Sequence, residues 1–171
     1  MIENEATYTE EFSNPYYRFH SSTVEETSNG VWVLGHNFVV SLTLKYGYID
    51  KMLARSLSFK IEQEMRKVSN SLHHKVLIPE LSDKFTTSVV DDHYRLDLKE
   101  SKEHYAFPVG ECQMIPITNC SLREISSYFG RRILELIGIQ EFIAAGVRKV
   151  KTEMNYNGQT KKASSTFSIV Q

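Results

Sequence analysis

The chain has 171 residues, a mass of 19.7 kDa and a formal charge of −1, with 41% apolar and 24% charged residues. This is the size of one domain and the composition of a globular protein, which excludes a disordered or collagen-like chain. Because the charges balance, no nucleic acid or anionic membrane is implied as a partner. Two cysteines are too few for a disulfide framework, and no apolar run approaches the roughly 18 residues of a membrane helix. We therefore expect reduced thiols and a cytoplasmic location.

The first half of the sequence changes its hydrophobic period once. Residues 1–15 carry no periodicity and predict a flexible N-terminal arm, followed by a single domain over residues 16–171. Residues 16–24 predict a first strand and residues 25–30 a turn. Apolar residues then alternate over 38–46, which predicts a half-buried strand whose apolar face also includes His36.

From Lys51 the apolar residues recur at steps of three and four, which predicts an amphipathic helix of about five turns that ends near Ser69. Ser121 begins a second helix as its N-cap, with Glu124 in a capping box and Gly138 at the C-terminal end. Further extended segments are predicted at residues 89–90, 94–98, 104–117, 147–155 and 165–170. The order of elements predicts an α+β fold with an antiparallel sheet.

Six histidines are the richest chemical resource of the sequence. His20 and His36 lie on predicted strands, and His73 and His74 are adjacent where the first helix ends. Imidazoles from neighbouring strands can converge on a metal ion, and three of them make an open zinc site. The alternative is that each is an ordinary hydrogen-bonded histidine, and the residues alone leave both open.

Glu153 stands in an otherwise apolar and basic strand. A carboxylate on the inner face of a strand is costly unless it has a partner. It could accept two hydrogen bonds from an amidine-like edge of a ligand, as carboxylates do from guanidinium groups. It could instead pair with Lys149 or Lys151, which share its face.

Several short motifs occur in a characteristic order: Gly35-His36-Asn37-Phe38 opens a strand, and Leu72-His73-His74-Lys75-Val76-Leu77 follows a helix. The later segment around Phe107-Pro108, Cys112, Ile115-Pro116-Ile117, Ser121 and Glu124-Ile125 continues the pattern. Together they resemble the 6-pyruvoyl tetrahydropterin synthase family, which includes the 6-carboxytetrahydropterin synthases, over about residues 12–169. The later segment is most similar to the protozoan branch, in which a glutamate does the work of the usual nucleophilic cysteine.

The resemblance implies a T-fold, with a four-stranded antiparallel sheet, two helices on one face, and subunits that oligomerise into a barrel as trimers and hexamers. It implies a zinc ion held by three histidines and a reduced pterin held by a buried glutamate. The implied reaction is zinc-assisted elimination of triphosphate from a pterin such as dihydroneopterin triphosphate. A histidine would move the proton.

Carried over residue by residue, the resemblance makes His20 and His36 metal ligands and places Leu34 where the middle ligand would be. Gly30 and Val31 fall at the position of the acid–base or nucleophilic residue. The remaining implied site residues are His74 as the catalytic histidine, His73 in place of its orienting aspartate, and Ser121 and Glu153 as substrate-binding residues.

These matches leave three hypotheses. The chain is a divergent lyase that acts on a reduced pterin, a catalytically inactive relative that binds a pterin or only its own copies, or a structural subunit of a larger complex. Fold does not fix function, so the replaced residues at positions 30, 31 and 34 weigh against simple transfer of the activity.

Overall fold

A computed structural model of the chain describes residues 8–169, without the side chains of residues 14–16. Two helices begin at side-chain caps: Asp50 accepts from the backbone N–H groups of Met52 and Leu53, and Ser121 accepts from that of Glu124. A short 3₁₀ helix spans Val109–Glu111. In chain order the elements are β1 (Tyr8–Thr27), β2 (Gly30–Tyr46), α1 (Lys51–Leu72), β3 (Val76–Pro79), β4 (Phe85–Val90), β5 (His93–Leu98), β6 (His104–Pro108), β7 (Cys112–Ile115), α2 (Leu122–Ile137), α3 (Ile139–Ala145), β8 (Val147–Tyr156) and β9 (Lys162–Ser168).

The main sheet has six strands in the order β7-β3-β1-β2-β8-β9. Its β1, β2, β8 and β9 form an antiparallel set of four, as predicted. The prediction of a four-stranded sheet is nevertheless incomplete, because β3 and β7 extend it in parallel to β1. Each of these strands has four residues, too few to establish an alternating pattern in the sequence.

The helices cover one face of this sheet. The even-numbered residues of β2 from Phe38 to Tyr46 are buried there against apolar side chains of α1 and α2, such as Leu57 and Phe129. The short α3, which the sequence analysis did not predict, packs on the same core through Phe142 and Ala145. We call this side of the sheet the helix face and the opposite side the open face.

Part of the open face is covered by a second sheet of three strands, in the order β4-β5-β6. A smaller apolar cluster joins the two sheets through Val24 of β1, Ile78 of β3, Phe85 of β4 and Leu96 of β5. Phe19 lies in the main core and Val24 in this second cluster. Because successive side chains of a strand point to opposite faces, β1 is buried on both sides.

Several boundaries differ from the sequence prediction. The predicted arm is wrong from Tyr8 onward, because residues 8–15 belong to β1; residues 1–7 lie outside the described residues. Glu25 lies in the strand, and the turn is confined to Ser28 and Asn29. The last strand ends at Ser168, and Val170 lies outside the described residues. In both long strands, cross-strand pairing overrides weak local propensity. No helix in residues 8–169 is long and apolar enough to cross a membrane.

Candidate functional site

The register of the β1–β2 hairpin decides which predicted residues can meet. His20 lies opposite Asn37, and Ser21 lies opposite His36. Residues directly opposite each other in an antiparallel pair share a face, whereas neighbours along a strand alternate. His36 is therefore on the helix face and His20 is on the open face, so the structure does not bring these two histidines together within one chain.

On the helix face, His36 is held by Glu25. The His36 Nε2 lies 2.7 Å from the Glu25 Oε2, and their side chains are only 20% and 14% exposed. The same carboxylate oxygen accepts a hydrogen bond from Thr23 Oγ1. Since a carboxylate only accepts, the His36 Nε2 donates to it. The hydrogen bond to Glu25 thus occupies this nitrogen.

The ring of His36 is also fixed by stacking. It lies on the ring of Tyr156 with 4.2 Å between centroids and 14° between planes, and edge-on to Phe38. Burial, and then the charge of Glu25, raise the pKa of Tyr156 to about 12. Burial, and then Glu25, also raise the pKa of the Cys120 thiol. Both groups therefore stay neutral near pH 7 beside the carboxylate.

His20 belongs to a different group, made of His20, His73 and His74. The backbone N–H of His20 donates to His73 Nδ1 at 3.0 Å, and the backbone N–H of His74 donates to His20 O at 2.7 Å. The rings of His73 and His74 lie 3.8 Å apart, and those of His20 and His74 lie 6.2 Å apart. The connection that follows α1 therefore brings both predicted catalytic histidines to His20.

The hydrogen bonds in this group assign proton positions. His20 Nδ1 lies 2.9 Å from Asn37 Oδ1, so Nδ1 carries a hydrogen and donates it to that oxygen. His73 accepts at Nδ1, so its neutral form carries its proton on Nε2. Burial, and then the neighbouring His74 and His20, lower the pKa of His73. The group brings three imidazole rings together, which is an arrangement suited to moving protons.

A cavity of about 280 Å³ lies beside His20 and His74 and is also lined by Lys75 and Glu111. A larger cavity, of about 530 Å³, lies at the tip of the β1–β2 hairpin between Trp32, Lys84 and Tyr105. Gly30 and Val31, which fall at the position that the resemblance gives to the acid–base or nucleophilic residue, line this second cavity, whereas His20, His36, His73, His74, Ser121 and Glu153 do not.

Glu153 lies on the open face, opposite Ser41 of β2 and Ser164 of β9. Its carboxylate is 30% exposed and lies 3.3 Å from Lys162 Nζ and 3.6 Å from Lys151 Nζ. The pairing with Lys151 was one of the alternatives drawn from the sequence, and Lys162 adds a cross-strand neighbour. Both contacts are longer than a charge-assisted hydrogen bond of about 2.8 Å, so the carboxylate keeps acceptor capacity.

Ser121 has a structural role at the start of α2. Its hydroxyl accepts from the Glu124 backbone N–H at 3.3 Å and also donates to the Glu124 carboxylate. The predicted N-cap at Ser121 is thus confirmed, while the Glu124 carboxylate accepts from the Ser121 hydroxyl and from the Thr118 backbone N–H. Binding of substrate by Ser121 stays a prediction. The start of α2 lies near Glu25, because the charge of Glu25 acts on the thiol of the preceding residue, Cys120.

No family model and no curated protein matches the sequence. Solved structures do match. A Plasmodium vivax 6-pyruvoyltetrahydropterin synthase with a mutated catalytic residue has a TM-score of 0.81 at 24% identity, and another structure of that enzyme has 0.82 at 22%. The Plasmodium falciparum enzyme has 0.81 at 21% identity. Each alignment covers 95% of this chain and 99% of the other.

This chain has the 6-pyruvoyl tetrahydropterin synthase fold. The two Plasmodium sources agree with the sequence resemblance to the protozoan branch. The motifs lie in the β1–β2 hairpin, in the connection that follows α1 and in β8. The alignments cover 95% of this chain, and the shared fold accounts for the order of these motifs along the sequence.

The residues of one chain do not fit the zinc ion that the synthase family implies. His20 and His36 lie on opposite faces, His36 Nε2 donates to Glu25, and Leu34 stands on the His36 side opposite Thr23. Within residues 8–169, no group of three or more histidine, cysteine or acidic side chains is arranged to hold a metal ion. A leucine has no lone pair to offer a cation, and on the helix face of the hairpin His36 is instead hydrogen-bonded to Glu25.

Sequence reasoning missed Glu25, Asn37 and Tyr156 as parts of these two groups. Glu25 was assigned to a turn because the local residues are polar. Asn37 stood within the Gly35–Phe38 motif but was given no role. Counting alternate residues back from a two-residue turn at Ser28 and Asn29 would have placed Glu25 on the face of His36.

Proposed function

We propose that this chain is a non-catalytic member of the synthase fold that binds a reduced pterin through Glu153 and has lost zinc-dependent triphosphate elimination. The observation that carries the proposal is the register of the β1–β2 hairpin, which separates His20 from His36. Leu34, Gly30 and Val31 support it, because none of them offers a ligand or a transferable proton.

Binding of the pterin rests on Glu153. A reduced pterin presents an amidine-like edge with two N–H donors, and a carboxylate accepts such a pair bidentately. Glu153 has the carboxylate on the open face, and its long contacts to Lys151 and Lys162 are ones that a ligand could replace. The serines opposite it leave room, since their side chains are small.

In this proposal the chain forms a homo-oligomer, a trimer or hexamer, with the open face lining a barrel. The support is the composition of that face, where β2, β8 and β9 present mainly hydroxyl and charged side chains, including Thr43, Lys149 and Thr166. Such a surface suits a water-filled interior and not a dry interface.

The test is titration of the purified protein with a reduced pterin such as dihydroneopterin, followed by fluorescence. Glu153→Gln should weaken binding by roughly 10- to 100-fold, because it replaces a charged acceptor of two hydrogen bonds. Glu141→Gln, which removes an exposed carboxylate paired with Lys60 on a helix, is the matched control and should change nothing. If the wild-type protein binds no pterin, the remaining hypothesis is an assembly module.

Two further measurements test the loss of chemistry. The zinc content of never-chelated protein should be far below one ion per chain, and the protein should not eliminate triphosphate from dihydroneopterin triphosphate. A content near one ion per chain would mean that a neighbouring subunit completes a site, and the proposal of lost zinc chemistry would fail.

A second candidate function, zinc-free elimination by the group around His20, is favoured by one observation. The rings of His20, His73 and His74 lie together where the connection after α1 meets β1. In that case turnover would be measurable, and His74→Ala would abolish it without changing the oligomer.

A further inference from the structure

The Glu153 carboxylate is held by two lysines, one on each of its oxygens. Lys162 Nζ lies 3.3 Å from Oε1, and Lys151 Nζ lies 3.6 Å from Oε2. An amidine-like edge needs both oxygens, because its two N–H groups bond to the carboxylate side by side. The two ammonium groups therefore take up both of the acceptors that a ligand of this kind would use.

The register of the sheet brings these three side chains together on the open face. Lys151 and Glu153 are two residues apart on β8 and so share a face. On β9, Ser164 lies directly opposite Glu153, and Lys162 lies two residues further along, opposite Asn155. Lys162 is thus the diagonal neighbour of Glu153, at about 7–8 Å between backbones, which a long side chain can span.

The surrounding charges favour these contacts as long as no ligand is bound. Within the described residues, β2, β8 and β9 contain a single acidic residue, Glu153. The same face carries Lys45 and Lys149, which lie directly opposite each other on β2 and β8. Because like charges on neighbouring strands repel each other, Glu153 is the counter-charge for the lysines nearest to it.

We propose, on the basis of the pterin-binding function above, that Lys151 and Lys162 compete with the ligand for Glu153 and thereby set its affinity and its charge. An uncharged heterocycle with two N–H donors displaces both ammonium groups from the carboxylate. Since the two lysine side chains are 48% and 57% exposed, the displaced groups return to water at a small cost. A guanidinium cation is disfavoured, because it would lie beside two like charges.

Titration of the purified protein with dihydroneopterin, followed by fluorescence, tests the competition. Lys162→Gln and Lys151→Gln should each lower the Kd about two- to fivefold, the range expected when one partly exposed ion pair no longer has to be broken. Lys149→Gln is the matched control. It removes the same charge from the same face of β8 at about 13 Å from Glu153, beyond the screening length, and should leave the Kd unchanged.

Three further readouts separate competition from a general effect of charge. In a Glu153→Gln background the lysine substitutions should no longer tighten binding, because the contact they relieve is gone. Higher salt should tighten binding to the wild-type protein, since salt screens the ion pairs that the ligand displaces, but should have little effect on the Lys151→Gln/Lys162→Gln double variant. Methylguanidine should displace the pterin more readily from the double variant than from the wild-type protein.

The outcomes distinguish this competition from the function on which it rests. If the wild-type protein binds the pterin and the single lysine variants bind it equally well, the lysines do not compete, and the proposed function stands alone. Weaker binding by these variants would also overturn the competition and would make the lysines contacts of the ligand. If neither the wild-type protein nor the double variant binds the pterin, the proposed function fails and the competition fails with it.

Discussion

Replacing Glu25 by alanine should destabilise the protein through His36. The variant removes the carboxylate 2.7 Å from His36 Nε2 and leaves the imidazole N–H without its acceptor. It also removes the acceptor of the Thr23 hydroxyl. A double-mutant cycle with His36→Ala isolates the contribution of the Glu25–His36 contact from these other losses.

The size of the effect follows from the exposure of the two side chains. Exposed ion pairs contribute about 0.2–1 kcal/mol, and hydrogen bonds to charged groups contribute about 1.5–3 kcal/mol. At 14% and 20% exposure the pair lies between these cases, closer to the buried one. We expect a coupling energy of about 1–2 kcal/mol between Glu25 and His36.

The assay is urea denaturation at a fixed protein concentration, because oligomerisation would otherwise change the apparent stability. The control cycle uses Arg95 and Asp97, whose side chains lie 3.0 Å apart but are 43% and 45% exposed, and its coupling should stay below about 0.5 kcal/mol. A coupling for Glu25 and His36 no larger than in the control would refute the idea that this pair holds the helix face together.

Three other changes should have defined effects. Leu34→His places a second imidazole on the face of His36 and Glu25 and should raise zinc uptake, measured by elemental mass spectrometry; unchanged uptake would contradict our placement of position 34. Gly130→Ala should lower the unfolding free energy by about 1–3 kcal/mol in denaturant titrations, because the new Cβ would lie 2.5 Å from a ring carbon of Phe167, and a stabilised variant would mean that this ring can move. The lowered pKa of His73 means that the unfolded state binds the proton more readily, so stability should fall as the pH drops below about 6.5, and less so in a His73→Asn variant.

Strong local patterns predicted the elements well. The alternation over 38–46 and the stripe from Lys51 gave β2 and α1, and the N-cap at Ser121 gave the start of α2. These signals come from residues close in sequence, where period and capping chemistry act directly. The short β3 was not predicted, and β7 was predicted only as part of the longer segment 104–117, because parallel pairing with distant strands, and not local sequence, defines these strands.

The candidate site was predicted less completely for the same reason. The motifs gave the residue types, and the grouping of His73 and His74 with His20 followed only from the fold. Whether His20 and His36 share a face depends on the register of a hairpin with a turn of two residues. An error of one residue in that register moves every side chain of a strand to the other face.

The burial of β1 on both sides limits how this hairpin can change in evolution. Phe19 is fixed in the main core and Val24 in the smaller cluster, five residues apart and on opposite faces. Inserting or deleting one residue at the turn would bring His20 and His36 to one side, but it would also force one of these anchors, or its partners on β2, out of its apolar environment. Single substitutions at positions such as Leu34 are therefore an easier route to a metal-binding descendant of this chain than any change in length. Because β1 is buried on both faces, the hairpin can change its chemistry but not its register.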